Sequence, residues 1–298
     1  MKKLSKIAAL FLAGAMMLSV TACSSSTASP SSTADTSSSS SEASETSSEA
    51  ESSADASSEA GSSETAEGGT VQAIKDRGYI VMSTNAEFEP FEYMVGEEFK
   101  GIDIEISQKI ADKLGVELRI NNTSFDSLPL ELDTDKCDFV AAGMTIDPEK
   151  AIDFSDSYFS ASQSIIVRVD SDIQSGDDLA GKKIGVQLGT TGDTYCTENI
   201  EGAEVSRMSK GMDAVADLIR GSIDAVVIDN YPATKLVEKN SEQVKMLDEA
   251  LTEEEYGIAV KKGNQELLDV INETLAELKE SGEMDTILES YLGDETAE

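Results

Sequence analysis

The 298-residue chain contains no histidine and no tryptophan, and it has only 23 lysine and arginine residues against 58 aspartate and glutamate residues. Without imidazole it cannot build a Ser/His/Asp triad, a Cys/His pair, or a histidine-ligated zinc or haem site. The formal net charge of -35 repels phosphate backbones and anionic lipid headgroups. We therefore expect no nucleic-acid partner and no docking to a membrane through basic residues.

The first 23 residues form a predicted export signal. Lys2, Lys3 and Lys6 provide its basic start, and the apolar stretch that follows is too short to span a bilayer comfortably. The signal ends in Leu18-Ser19-Val20-Thr21-Ala22-Cys23, which resembles a bacterial lipobox. The resemblance implies lipidation of Cys23 and a protein anchored by that lipid at the extracellular face of the cell membrane. The alternative is an ordinary secretory peptide with an incidental cysteine.

Residues 24–69 contain only Ser, Thr, Ala, Asp, Glu, Gly and one Pro. The segment has no large apolar side chain to bury, so nothing offsets the conformational entropy that ordering would cost. We predict a disordered, Ser- and Glu-rich tether between the lipid anchor and a folded body.

Strand and helix patterns alternate from residue 71 onward. The apolar run Tyr79–Ser83 predicts a buried strand, and the four-residue spacing of Ile106, Ile110 and Leu114 predicts a helix that ends at Gly115. The same alternation restarts near residue 183. The fold class is therefore α/β, with two Rossmann-like units of parallel strands covered by helices.

Two extended segments, Gln163–Arg168 and Tyr256–Val260, are predicted to connect these units as a two-segment hinge. This assigns residues 70–163 and 256–298 to lobe 1 and residues 164–255 to lobe 2. Ligands of such sheets bind at the carboxyl ends of the strands, so we expect a site in the cleft between the lobes. Because the lobes separate Cys137 from Cys196, we expect two free or buried thiols, although export would permit a disulfide.

The folded body contains seven motifs in order: Thr84–Tyr93 (TNAEFEPFEY), Gly101–Glu105 (GIDIE), Ala142–Ile146 (AGMTI), Ile152–Ser155 (IDFS), Gly185–Thr191 (GVQLGTT), Asp224–Asp229 (DAVVID) and Tyr256–Val260 (YGIAV). Together they resemble the amino-acid-binding proteins of ABC importers, the extracellular solute-binding proteins of family 3, which have the type 2 periplasmic-binding-protein fold. The resemblance implies a monomer of two lobes that closes on a free amino acid and delivers it to a membrane permease. It implies no cofactor, no metal and no catalytic residue.

The resemblance also assigns the polar ligand-binding residues. Asp229 would bind the α-ammonium group, and its alternative role is the N-cap of the following helix. Gly143 and Thr145 form a turn that would contact the ligand, as would Asn85 and Gln187 in the neighbouring motifs. Thr191 would offer a helix N-terminus to the carboxylate, or belong to a simple capped turn.

The side chain of the ligand would lie among aromatic and acidic residues. By the resemblance, Phe88 and Phe125 sandwich it, and the alternative is that they are ordinary core aromatics. Glu87 and Asp126 would meet a polar or cationic side chain, or remain solvated carboxylates.

The sequence departs from the family pattern at one site residue. The family places an arginine five residues after the threonine of the turn, where it binds the ligand carboxylate, and this chain has Lys150 there, in a loop two residues shorter than usual. Lysine keeps the charge but loses the planar fork. Three outcomes are open: Lys150 binds the carboxylate as a point charge, Arg168 or another donor replaces it, or the ligand is not a standard α-amino acid.

The leading hypothesis is a binding protein for a polar amino acid or a close analogue. The alternatives are an enzyme on the same fold, such as a dehydratase or a cell-wall lytic enzyme, and a sensory domain. We do not expect an enzyme, because the sequence shows no appended wall-binding or catalytic region. A sensory domain would normally be fused to a membrane helix and an output module, and the sequence shows neither.

Overall fold

The computed structural model describes residues 71–293, so the predicted export signal, Cys23 and the predicted tether lie outside the described residues. The described part contains fifteen strands: β1 (Tyr79–Thr84), β2 (Glu87–Phe88), β3 (Glu92–Val95), β4 (Glu98–Lys100), β5 (Glu117–Asn122), β6 (Phe139–Val140), β7 (Ile152–Phe154), β8 (Phe159–Ala161), β9 (Gln163–Arg168), β10 (Lys183–Gln187), β11 (Glu204–Met208), β12 (Ala225–Asp229), β13 (Val244–Ala250), β14 (Glu254–Tyr256) and β15 (Ala259–Lys261).

The same residues form eight α-helices: α1 (Val71–Arg77), α2 (Ile102–Leu114), α3 (Leu128–Asp133), α4 (Thr191–Asn199), α5 (Gly211–Arg220), α6 (Asn230–Lys239), α7 (Gln265–Ser281) and α8 (Glu283–Leu292). Helix α2 shows how sequence sets these elements. Ile106, Ile110 and Leu114 are buried along one face, and Gly115 ends the helix in the left-handed conformation with φ of 72°. This helix and its end are as predicted.

The first lobe is built on a five-stranded sheet in the order β5-β1-β6-β15-β7. Strand β1 is parallel to β5 and β6, whereas β15 is antiparallel to both of its neighbours. The C-terminal helices α7 and α8 pack on α2 of this lobe, as the sequence predicts. A separate three-stranded antiparallel sheet of β2, β3 and β4 follows β1.

The second lobe is built on a sheet in the order β11-β10-β12-β9-β13. Strand β10 is parallel to β11 and β12, and β9 is antiparallel to β12 and β13. Helices α4, α5 and α6 pack on these strands. The described residues therefore have the predicted α/β architecture of two lobes, each with its own sheet.

The two crossings between the lobes pair with each other as β8 and β14, with Phe159 opposite Tyr256. The prediction that Gln163–Arg168 is itself a crossing was wrong, because this segment is strand β9 of the second sheet. Its residues Gln163 to Val167 are all buried, as suits a strand between two neighbours rather than an exposed connection. The crossing lies just before it, at β8.

Cys137 and Cys196 are free and buried, as predicted. Burial raises the pKa of the Cys137 thiol to about 11 and that of Cys196 to about 12. Both thiols are therefore protonated and unreactive at neutral pH. Among residues 71–293, no helix has the length and apolar character needed to cross a membrane.

Candidate ligand-binding site

A small pocket lies between the two lobes, at the carboxyl ends of their central strands. Ten residues line it: Asn85, Phe88, Glu92, Phe125, Gly143 and Thr145 from the first lobe, and Gln187, Thr190, Thr191 and Asp229 from the second. The structure thus brings together eight of the residues that the sequence singled out, and it adds Glu92 and Thr190.

Asp229 is the last residue of β12 and is buried in this pocket. It occupies the N-cap position of α6, as the alternative interpretation proposed, but its side chain makes no capping hydrogen bond. Instead Oδ1 accepts a 2.6 Å hydrogen bond from the hydroxyl of Tyr256. Burial, with a smaller effect from the charge of Glu254, raises the pKa of Asp229 to about 7. A buried carboxyl held in this way is ready to pair with a cation.

Gly143 and Thr145 form the turn that follows β6. Gly143 has φ of 51°, and a Cβ atom there would come within 2.7 Å of the Phe88 ring, so the turn requires glycine. The hydroxyl of Thr145 donates to Glu254 at 2.6 Å. Thr191 of the second lobe donates to Thr145 at 3.0 Å, so this turn also connects the two lobes.

Thr191 is the first residue of α4, and Thr190 is its N-cap, with a hydroxyl that accepts from the amide of Asp193 at 3.3 Å. The first amides of a helix lack partners within the helix and favour an anion. Asp193 cannot serve as that anion in the pocket, because it pairs with Arg207 at 2.9 Å. The N-terminus of α4 is therefore a suitable place for a ligand carboxylate.

Asn85 and Gln187 join the lobes directly, because Gln187 Nε2 donates to Asn85 Oδ1 at 2.9 Å. The Asn85 amide in turn donates to the carbonyl of Thr123 at 2.7 Å. Both residues are buried, so the bond is screened little by water. It fixes the two amides in the lining of the same pocket.

Lys150 lies in an adjoining cavity, which shares Thr145, Thr190 and Thr191 with the pocket described above. Its ammonium group forms no ion pair with any acid of residues 71–293. Partial burial lowers its pKa. Arg168, the alternative donor from the sequence, lies elsewhere, since its guanidinium donates to the carbonyl of Ile223 at 3.2 Å. Of these two bases, only Lys150 lies in a cavity that adjoins the pocket, and neither lines the pocket itself.

Two acidic side chains that the sequence suggested for the ligand do not line the pocket. Glu87 is exposed and pairs with Lys210 at 2.5 Å, because successive residues of β2 face opposite sides and the pocket side belongs to Phe88. Asp126 packs against Gly189 instead of joining the ten lining residues. The exposed position of Glu87 corrects the expectation that this residue contacts the ligand side chain.

The sequence analysis did not predict Glu92 as a pocket residue. The sequence around this acid has the pattern of an ordinary solvent-exposed hairpin. Its burial depends on tertiary structure, because β3 places it opposite Phe88 and beside Asp103 of α2. Thr190 was missed for a smaller reason. The sequence analysis predicted a capped turn before α4 but assigned ligand contact only to Thr191. The structure shows that the N-cap residue, Thr190, also lines the pocket.

Two α/β lobes, a double crossing and a polar pocket between them define a ligand-binding protein of the two-lobed class. Residues 80–294 match the family described as bacterial extracellular solute-binding proteins, family 3, and the chain belongs to this family.

Individual relatives cover most of the chain. The L-cystine-binding protein TcyJ of Escherichia coli (strain K12) is 31% identical over 76% of this chain and 88% of its own length. The arginine-binding extracellular protein ArtP of Bacillus subtilis (strain 168) is 32% identical over 71% of this chain and 85% of its own. The crystal structure of a mutant of ArgBP from T. maritima is 41% identical, with a TM-score of 0.72 over 75% of this chain and 99% of that one.

Proposed function

We propose that the protein is the receptor of an ABC importer for a polar amino acid or a close analogue. One observation carries the proposal: the same cleft contains a group that needs a cation and groups that need an anion. Asp229 is a buried carboxyl that needs a cation, and Lys150 with the N-terminus of α4 needs an anion. An α-amino acid supplies both charges on neighbouring atoms.

The ammonium group would bind Asp229 beside the turn at Thr145. The carboxylate would lie between the first amides of α4 and the ammonium of Lys150, which acts as a point charge where the family has an arginine fork. The ligand side chain would extend between Phe88 and Phe125. Family membership supports this arrangement, as do relatives named for binding L-cystine and arginine.

Binding would draw the lobes together about the β8 and β14 crossings, and the permease would recognise the closed form. Apart from Gln163, which belongs to β9 of the second sheet, the lobes would have the bounds predicted from the sequence, residues 70–163 with 256–298 and residues 164–255. An amino-acid receptor of this kind needs no catalytic group, and the relatives support binding rather than an enzyme. The protein would act as a monomer.

The site of action would be the extracellular face of the cell membrane, with Cys23 as the lipid attachment point and residues 24–69 as the tether. The sequence from residues 18 to 23 supports this part of the proposal. Metabolic labelling with a tagged fatty acid tests it. Incorporation should occur in the native chain and disappear in Cys23→Ser.

The receptor function is tested by the melting temperature of the purified protein with each of the twenty amino acids, cystine and matched amines and carboxylates. A ligand at about a thousand times its dissociation constant adds roughly 4 kcal/mol, on the order of 10 °C for a body of this size. We expect a shift from one or a few α-amino acids, and its loss in Asp229→Ala. If no α-amino acid shifts the melting temperature, the receptor proposal is wrong.

A further inference from the structure

Asp103 lies in the first turn of α2, within the Gly101–Glu105 motif, to which the proposed function gives no role. Acids are common in the first turn of a helix, where an exposed carboxylate interacts favourably with the helix dipole. Asp103 differs from such acids, because it is only 1% exposed and does not line the pocket. Burying a carboxylate costs free energy, so contacts outside the helix must account for its position.

Both carboxyl oxygens of Asp103 accept hydrogen bonds from outside α2. Oδ2 accepts from the amide of Gly143 at 2.8 Å, and Oδ1 accepts from the hydroxyl of Tyr158 at 2.7 Å. Gly143 belongs to the turn that lines the pocket, and Tyr158 immediately precedes β8, the first crossing. Asp103 therefore holds the turn and the crossing to the same helix.

The charge of Asp103 makes these bonds strong. Burial raises its pKa to about 6, and the bonds from Gly143 and Tyr158 limit that rise, so the carboxyl is ionised at neutral pH. Its neighbour Glu92 is the protonated acid of the pair, because burial, and then the charge of Asp103, raises the pKa of Glu92. Hydrogen bonds to an ionised acceptor are roughly twice as strong as bonds between neutral groups.

The turn is held at two points by different parts of the fold. Past Gly143, the carbonyl of Met144 accepts from the amide of Gly257, just after β14, at 3.0 Å. At Gly143 itself the backbone has φ of 51°, and its amide donates to the carboxylate of Asp103 instead of to a neighbouring strand. Without Asp103 this buried N–H would lack its acceptor, so the backbone would move toward another one and carry Thr145 with it.

We infer that Asp103 is a positioning residue of the binding site: it holds the Gly143–Thr145 turn in the conformation that contacts the ligand, and it does not touch the ligand itself. This inference rests on the proposed function, in which the turn lies beside the bound ammonium group. The same turn receives the hydroxyl of Thr191 from the second lobe, so its position affects closure as well as contact. Substitutions of Asp103 should therefore lower ligand affinity according to how poorly the new side chain accepts from Gly143.

The test is titration calorimetry of the purified protein, with the twenty amino acids and cystine as probes. For each probe that binds, Asp103→Asn should weaken binding about three- to tenfold, because a neutral oxygen replaces the charged acceptor. Asp103→Ala should weaken it about 10- to 100-fold, because no acceptor remains for the buried amide.

Asp138→Asn and Asp138→Ala are the matched controls. Asp138 is also a buried carboxyl of the first lobe that accepts from a backbone amide, that of Val81 at 2.7 Å, but neither residue lines the pocket. These controls should lower the melting temperature and leave the affinity unchanged. A loss of affinity that merely follows stability would appear in both sets of variants.

A second measurement needs no ligand. Amide hydrogen exchange followed by NMR should show the Gly143 amide exchanging at least about tenfold faster in Asp103→Ala than in the native protein, and at the native rate in Asp138→Ala. The Val81 amide should show the opposite pattern. Equal acceleration of both amides in both variants would reveal a general loss of stability and overturn the positioning role.

Native affinity in a folded Asp103→Ala protein, or an equal loss in Asp138→Ala, overturns the inference and leaves the receptor function intact. If Asp103→Ala does not fold, native affinity in Asp103→Asn overturns it in the same way. Absence of binding by every probe overturns the proposed function, and the exchange rate of Gly143 then decides alone whether Asp103 holds the turn.

Discussion

The hydroxyl of Tyr256 donates a 2.6 Å hydrogen bond to the buried carboxyl of Asp229. Tyr256 belongs to β14, one of the two crossings, and Asp229 ends the central strand β12 of the second sheet. The bond therefore connects the hinge to the carboxyl group that we propose binds the α-ammonium group of the ligand. Because both side chains are buried, removing either leaves the other without its partner in a medium of low dielectric constant.

Tyr256→Phe should weaken ligand binding about 10- to 100-fold, since a hydrogen bond to a charged group contributes about 1.5–3 kcal/mol. The ring should stay in place, because it packs on Phe91 with a centroid separation of 5.1 Å. Titration calorimetry measures the effect, and Tyr291→Phe is the control, because that hydroxyl donates to the exposed Glu105 at 3.1 Å and does not line the pocket. Unchanged affinity in a folded Tyr256→Phe protein would contradict the role of this bond.

Ligand binding should strengthen as the pH rises toward neutrality. The raised pKa of Asp229, about 7, means that the empty pocket holds a protonated carboxyl below that pH, whereas the bound ammonium requires the ionised form. Affinity should then be about tenfold weaker near pH 6 than near pH 8, with a plateau above the pKa. Titration calorimetry across this range is the measurement. Asp229→Asn should bind weakly and without this dependence, and a flat profile in the native protein would refute the explanation.

The same carboxyl should make the empty protein less stable at neutral pH than in mild acid. Its folded pKa lies above the ordinary value of 3.8, so the folded state holds a proton that the unfolded state has released. The contribution of Asp229 to the free energy of unfolding therefore falls as the pH rises from about 4 to about 7 and is constant above that. Asp229→Asn should raise the melting temperature of the empty protein near pH 8 and change it little near pH 4. An equal effect at both pH values would show that ionisation is not the cause.

Local patterns in the sequence account for most of the fold. The spacing of Ile106, Ile110 and Leu114 predicts α2, and Gly115 predicts its end, because these signals depend only on residues of that helix. The assignment of Gln163–Arg168 to a crossing was wrong because the structure of this segment depends on residues that are distant in the sequence. An apolar extended segment is compatible with a crossing or with a sheet, and pairing with the distant strand β12 decides between them.

The candidate site likewise contains residues that the sequence predicts and a residue that it does not. Asp229 ends a strand, and Thr145 and Thr191 follow strands. The carboxyl ends of these strands meet, so the place of the three residues in the cleft was predictable from topology. Glu92 was not, because its burial requires the hairpin with Phe88 and the approach of α2. No periodicity within its own segment carries that information.

Lys150→Gln should weaken binding of the native ligand by about tenfold or more, because it removes a cation that shares a cavity with the α4 N-terminus and forms no ion pair with an acid of the described residues. The effect should be specific to the carboxylate. A methyl ester of the ligand should bind the native protein poorly, and Lys150→Gln should lower its affinity much less than that of the free acid. Lys262→Gln is the control, since this exposed lysine pairs with Asp153 at 3.1 Å on the surface. Equal losses for acid and ester would remove Lys150 from the carboxylate site.

Two exposed ion pairs, Glu87 with Lys210 and Glu89 with Lys239, join the lobes at the edge of the cleft. Exposed pairs contribute at most about 1 kcal/mol each and are screened by salt. The variant carrying both Lys210→Ala and Lys239→Ala should therefore lower ligand affinity only about two- to 30-fold, and the difference from the native protein should shrink in high salt. Because these pairs favour contact between the lobes, X-ray scattering should show a larger radius of gyration for the empty variant than for the empty native protein. Saturating ligand should bring the two values together, because a ligand that contacts both lobes favours the closed form in either protein. A salt-independent loss, or equal radii without ligand, would show that the pairs do not stabilise closure.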